Sequence, residues 1–427
     1  MPASHADPDA FVRRHLRHNA MALGADLGLF IVGMSLAAPS TILPAFAVSL
    51  GAPNLVIGAI PALMTVGWLL PSLFAAGYTE TLSRKLPFIL RWTIWERVPF
   101  LVLAAAAFFL ATPAPALALG VLLAMLLMIT GVGGFLMPAW MDVVAGSIPT
   151  TLRGRFFAVA HGLGNLGGLA ASFATAWVLA TVAAPVSYGV CFLTSTVAMG
   201  LSFWALALTR EPPGVTTGAA SPLSEYLARM PSLLRRNRNL AWFLAARVCT
   251  VMGTMANGFF TVYALRAFGA PAWQAGVFTT VMLSGHIAGS LGLGWLADRL
   301  GHRIGIMVGA AAMVAANVMA LGAPSLGAFN LVFVAVGLHL AAVNVSNLNI
   351  LLDFAPAPEE RPTYVGLGNT AVAPVAFLSP LAAGLLADAV GFAAVFAVAA
   401  AFAATGLGVL ATRVSDPRRA RVAAESG

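Results

Sequence analysis

Four ionisable side chains lie deep inside long apolar stretches of this sequence: Asp26, Glu96, Arg97 and Arg247. A charge at the centre of a membrane helix costs about 2.5–3.5 kcal/mol on insertion scales, so each is kept either to pair with another group or to carry an ion. Glu96 and Arg97 close the stretch Arg91-Trp-Thr-Ile-Trp-Glu96-Arg97, whose plainest reading is an internal ion network that snorkels toward the cytoplasm and fixes a loop. Asp26 follows Arg17 by nine residues and Arg247 follows Arg238 by nine, which sets an acid and a base at equivalent depth in two apolar runs. They read as members of structural ion pairs or, for the acid, as a proton-coupling carboxylate. A further run is polar rather than charged, with His339, Asn344, Ser346, Asn347 and Asn349 before Asp353. At 100° per residue His339 and Ser346 share a face, with Asn347 and Asn349 on its flanks. Such a face either binds a ligand or bonds to neighbouring helices at about 0.6 kcal/mol per contact. His286 stands alone among small residues and reads as a buried histidine bonded to a carbonyl.

Other chemistries are not supported. Gly162-x-Gly164-x-x-Gly167 has the letters of a dinucleotide fingerprint, but no strand precedes it and it opens an apolar helix. Gly164, Gly168, Ser172 and Ala176 instead make a small-residue face suited to close helix packing, expected as an interface along which two halves rock. The histidines have no metal-ligand spacing, and no nucleotide-binding loop or exposed nucleophile motif is found. Neither a cofactor nor an enzyme activity is expected. Cys191 and Cys249 both fall in apolar runs, away from any disulfide framework.

The elements that must position these residues follow from composition. The chain has 427 residues, of which 60% are apolar and 9% charged, and its mean hydropathy is +0.90. About 25% charge is usual for soluble domains, so this is a polytopic membrane protein embedded in a lipid bilayer. Apolar runs predict spans at 20–49, 54–77, 88–111, 116–142, 156–181, 187–209, 239–265, 273–296, 304–322, 328–352, 363–387 and 391–411. The formal charge of +8 is spread over short loops on one side, with Arg91, Arg97 and Arg247 inside spans and Arg266 in an opposite loop. That is a positive-inside pattern rather than a nucleic-acid surface, and it makes both termini cytoplasmic in a multi-pass inner-membrane protein.

The resulting organisation is a cytoplasmic N-tail at 1–19, a six-helix bundle at 20–209, a linker at 210–238, a second bundle at 239–412 and a C-tail at 413–427. In the linker, Ser221 and Pro222 suit a helix start, and Leu223, Tyr226, Leu227, Met230 and Leu234 suggest a short interfacial helix. The bundles are duplicates. A shift of 218 lays Gly51-Ala-Pro53 and Gly58 on Gly269-Ala-Pro271 and Gly276, and Glu80 and Lys85 on Asp298 and Arg303. Gly162-Leu-Gly-Asn165 recurs as Gly366-Leu-Gly-Asn369, each after a loop containing proline and arginine, Pro149 with Arg153 and Pro358 with Arg361. The fold class is therefore an all-α membrane protein of twelve transmembrane helices in two pseudo-symmetric six-helix bundles.

Gly294-x-x-x-Asp298-Arg299-x-Gly301-x-Arg303, the two six-span halves and the proline-arginine loops together resemble the major facilitator superfamily over essentially the whole chain. The first-half copy of the signature is degraded, with Ala76, Glu80, Thr81 and Ser83 at its key positions. The fourth span lacks an arginine, and the fifth reads Gly164-Asn-Leu-Gly-Gly168, so the marks of the family's drug-proton antiporters are missing.

The resemblance implies a secondary transporter working by alternating access, with spans one, four, seven and ten lining a cavity. On that basis the expected substrate cavity comprises His339, Asn344, Ser346, Asn347 and Asn349 with Thr254, Asn257, Trp140, Met137, Ser40 and Thr41. Asp26, Glu96, Arg97 and Arg247 are the expected proton-coupling residues or buried ion pairs. Asp298, Arg299, Gly301 and Arg303 form the expected cytoplasmic gate with Glu80, Arg84, Arg153, Arg155 and Arg361. The expected partners are a small organic or amphipathic solute and a coupling proton, with export favoured over import and a monomer as the family default. A lipid or lysolipid translocator of the same fold and a non-transporting sensor are the alternatives.

Overall fold

The computed structural model of the protein describes residues 8–79, 82–212, 234–355 and 360–417. Among the described residues twelve helices are long and apolar enough to cross a membrane, and no strand occurs. The first six are Ala10–Leu36, Asn54–Ser72, Leu86–Leu110, Pro115–Ser147, Thr150–Thr181 and Val186–Ala207. The second six are Arg238–Ala267, Gln274–Leu300, His302–Gly322, Leu326–Phe354, Thr363–Ala389 and Phe392–Thr412. The interfacial helix expected in the linker lies almost wholly outside the described residues.

Three spans depart from the expected continuous rods. The first helix starts at Pro8, within the segment read as a tail, because nothing between Ala10 and Asn19 breaks a helix. It then stops at Leu36, just before Pro39, and resumes as a separate helix, Ile42–Ser49. The third is interrupted at Thr93, upstream of Pro99, which has no N–H to close a turn on Trp95. The seventh tightens into a 3-10 turn at Gly253–Ala256.

The chain divides into two compact units. One comprises Met1–Ala38 and Leu63–Ser221, the other Pro39–Ala62 and Pro222–Gly427. In the first unit, span one packs on five and six, and span three packs on four and six. In the second, the corresponding spans pair in the same way: seven on eleven and twelve, nine on ten and twelve. Duplication is also written in an asparagine clamp. Asn19 donates to Arg210 O and accepts from Arg210 N, each at 2.9 Å, joining the start of span one to the end of span six. Asn239 makes the same two bonds with Ser415, again at 2.9 Å, at the start of span seven and the end of span twelve.

Each unit also brings its second and fourth helices together over glycines. A Cβ on Gly134 would strike the carbonyls of Gly67 and Trp68, and one on Gly337 would strike that of Met282. The small-residue face of span five behaves likewise. Gly164 lies against Gly28 and Ile31, so this face packs on span one of its own unit rather than forming the sliding interface expected between halves.

Candidate functional site

The interruption at Thr93 turns Glu96 and Arg97 inward, where both are buried together with Asp26. Asp26 Oδ1 accepts from Ser202 Oγ at 2.6 Å and from Arg97 Nη2 at 3.0 Å. Asp26 Oδ2 accepts from Trp140 Nε1 at 3.0 Å. Glu96 Oε2 accepts from Thr93 Oγ1 at 3.0 Å and from Arg97 Nη1 at 3.2 Å. Arg97 also donates to Thr93 Oγ1 and, through Nε, to Met199 O at 3.2 Å. Two carboxylates thus hold one guanidinium, and three polar side chains, Thr93, Trp140 and Ser202 of spans three, four and six, complete their hydrogen bonds. With both acids ionised the cluster carries a net negative charge, and one added proton makes it neutral.

This cluster borders a cavity of about 180 Å³ whose other walls include Phe30, Trp68, Met137 and Trp140. Gly133 keeps it open, since a Cβ there would meet Glu96 Oε1 and the Trp68 ring. Arg91 is exposed and outside the network, so the expected snorkelling group is replaced by a buried one built on Asp26. Ser202, Thr93 and Trp68 were not singled out from sequence. A serine, a threonine or a tryptophan in an apolar run carries no mark of its partner.

The second unit has a corresponding site with a different charge. Arg247, nine residues after Arg238 as Asp26 is nine after Arg17, borders a cavity of about 200 Å³ with Thr254, Asn257, Gly309 and His339. Arg247 is 8% exposed, and among the described residues its guanidinium has no hydrogen bond or ion pair, Nη1 being fully buried without a partner. His339 Nδ1 lies 2.9 Å from Gly309 O and donates to it, so Nε2 is the acceptor of the neutral ring. Asn257 Oδ1 is buried and unpartnered. Arg247 is thus not the counterpart of an acid in this structure; Asp26 is bound to Arg97.

The expected substrate residues are distributed. Trp140 and Met137 line the first-unit cavity, and Thr254, Asn257 and His339 the second-unit one. Ser346 is fully buried and packed against Gly305, and Asn347 is half-buried with Oδ1 unpartnered. Asn349 is exposed and bonds Val345 O at 2.8 Å. Asn344 Nδ2 lies 3.0 Å from Nε2 of His286, which is half-buried and bonded to this amide. Ser40 and Thr41 fall in the segment grouped with the second unit: Thr41 Oγ1 is 2.6 Å from Thr279 Oγ1, and Ser40 O accepts from Thr261 at 3.0 Å.

The signature loop serves helix ends. Gly301 alone joins spans eight and nine, with φ +94°, the left-handed region that glycine tolerates. Arg303 donates to Leu410 O at 2.9 Å and Ala411 O at 2.8 Å, capping the last helix. Arg153 caps the fourth span through Ile148 O at 2.9 Å and Ala145 O at 2.6 Å. Arg299 stacks 4.2 Å from the Trp295 ring, Asp298 is exposed without an ion pair among the described residues, and Arg84 and Arg155 are exposed. Lys85 pairs with Asp142 at 2.6 Å, an acid that sequence reading passed over. Glu80 and the Arg361 side chain lie outside the described residues.

Two like units of membrane-spanning helices, twelve among the described residues, with a buried charged cavity in each, define a multi-pass membrane protein. Residues 242–427 match the model of the Major Facilitator Superfamily. The fold is similar over 92% of the chain to the nucleoside transporter NupG, in a variant form, with a TM-score of 0.72, 12% identity and 98% of that chain covered. It is similar to a D-xylose-proton symporter at TM-score 0.68 and 12% identity, covering 93% of this chain and 98% of that one. A bacterial homolog of the human lysosomal transporter Spinster, inward-facing and unoccupied, gives 0.64 at 13% identity, with 93% of this chain and 94% of that one covered. No curated protein matches the sequence. The chain has the major facilitator superfamily fold, and the likeness drawn from its loop signature stands.

Proposed function

We propose that the protein is a proton-coupled secondary transporter that moves a small organic or amphipathic solute by alternating access, with export favoured over import. The observation that carries this reading is the pairing of Asp26 and Glu96 on Arg97 beside a cavity, a buried group that takes up one proton to become neutral. The basic loops support an inner-membrane orientation with both termini cytoplasmic, and a monomer is the family default. Asp298, Arg299, Gly301 and Arg303 with Glu80, Arg84, Arg153, Arg155 and Arg361 are assigned to the cytoplasmic gate.

The test is lumenal pH in proteoliposomes during solute addition, comparing wild type with Asp26→Asn and Glu96→Gln. Solute-driven pH change in the wild type, lost in one variant, identifies the coupling carboxylate. Solute movement with no pH change in any form refutes proton coupling.

A second reading, a lipid translocator, is favoured by a groove of about 700 Å³ between spans one and five, lined by Met21, Leu29, Val159 and Leu163 and bordered by Arg17 and Arg155. Its apolar length and two cations suit an acyl chain and an anionic headgroup. Scrambling of a fluorescent lysolipid without solute movement replaces the first reading with this one.

A further inference from the structure

We propose that the second-unit cavity binds the carboxylate of a small organic monoanion, with Arg247 as its counter-ion. The proposal rests on the reading that this cavity is a solute site, and deepens it by naming the solute class. In the first unit the charged residue of span one finds its counter-charge on span three, where Arg97 meets Asp26. In the second unit the charged residue of span seven faces Ile306, Gly309 and Ala310 of span nine, which carry no charge. Among the described residues the duplicate has kept a buried cation with no anion beside it. A guanidinium at 8% exposure with an orphaned Nη1 is costly unless an anion completes it, and its planar donor fork fits a carboxylate.

The surroundings limit the anion. Thr250 and Thr254 hydroxyls already donate to Arg247 O at 3.0 Å and Val251 O at 2.7 Å. Asn257 Oδ1 and His339 Nε2 are acceptors. One guanidinium as the charged donor suits a single negative charge and not a phosphate dianion, which needs several donors. The remaining wall, with Val251, Ile306, Leu340 and Val343, is apolar and receives a hydrocarbon body.

The test is equilibrium dialysis of radiolabelled benzoate with the purified full-length protein in nanodiscs, displaced by unlabelled isovalerate, by benzamide as the uncharged isostere, and by chloride. Saturable binding displaced by isovalerate but not by benzamide or chloride is expected. Arg247→Gln should weaken benzoate about 10- to 100-fold, the range for a charged hydrogen bond, with Arg247→Lys between it and wild type. If Arg247→Gln fails to yield monodisperse protein, Arg247→Lys provides the comparison and is expected to weaken benzoate, because an ammonium lacks the planar donor fork of the guanidinium. Absence of saturable binding, equal displacement by benzamide or by chloride, or unchanged affinity in folded Arg247 variants overturns the proposal. Dialysis needs no transport, so carboxylate binding is tested apart from proton coupling, which is refuted by solute movement without a lumenal pH change while this site stands.

Discussion

Arg97→Gln is the most informative perturbation of the first unit. Among the described residues Arg97 alone neutralises Asp26 and Glu96, at 3.0 and 3.2 Å, in a group with every charged member buried. Removing one partner from such a set leaves uncompensated charge and costs about 3–5 kcal/mol. At roughly 2–4 °C per kcal/mol for a unit of this size, the melting midpoint should fall by about 6–20 °C. Asp26→Asn/Glu96→Gln/Arg97→Gln removes the charges together, and should recover most of that loss while retaining polar contacts with Ser202, Thr93 and Trp140. The assay is thermal unfolding followed by a thiol-reactive dye, for which the buried Cys191 is the reporter. If the single variant melts with wild type, or the triple variant melts no higher than the single, the cluster is not an ion group of the kind argued.

Two further substitutions probe the elements that hold the sites. Gly134→Ala should destabilise by about 1–3 kcal/mol in the same melt, because its Cβ has carbonyl oxygens of span two as neighbours and no flexible side chain to displace. Gly301→Ala should cost about 1–2 kcal/mol from its φ of +94° alone, with a further loss where its Cβ meets the Asp416 carboxylate.

Much of the fold could be read from hydropathy because a bilayer permits few structures, and the spans differ from expectation chiefly at their ends and at three interruptions. Those interruptions escaped because apolar patterning reports burial in lipid and is blind to a local loss of backbone bonds. Asp26, Glu96, Arg97 and Arg247 were conspicuous as charges in apolar runs. Their pairing was not, since Arg97 and Asp26 stand 71 residues apart and equal depth in two spans says nothing of direction. The tenth-span polar face divided for a similar reason. Helical phase places His339 and Ser346 on one side, but Gly305 comes close enough to cover Ser346, whereas beside His339 the helices leave a cavity.

The route of the backbone between the two units makes the molecule hard to sever. It passes from one unit to the other after Ala38, returns after Ala62 and passes again after Ser221. A cut in the linker would therefore release fragments that do not correspond to the units. The N-terminal fragment would retain Ile42–Ser49, a helix with six buried residues, and Asn54, whose amide group bonds Asp388 and Arg266 at 2.8 Å each. Expressed alone, that fragment carries an apolar helix stripped of its packing, while the C-terminal fragment lacks one of its own elements. The sequence repeats in two similar halves, but 24 residues of the first belong to the unit formed by the second, so a cut between the halves leaves one with an orphaned helix and the other incomplete.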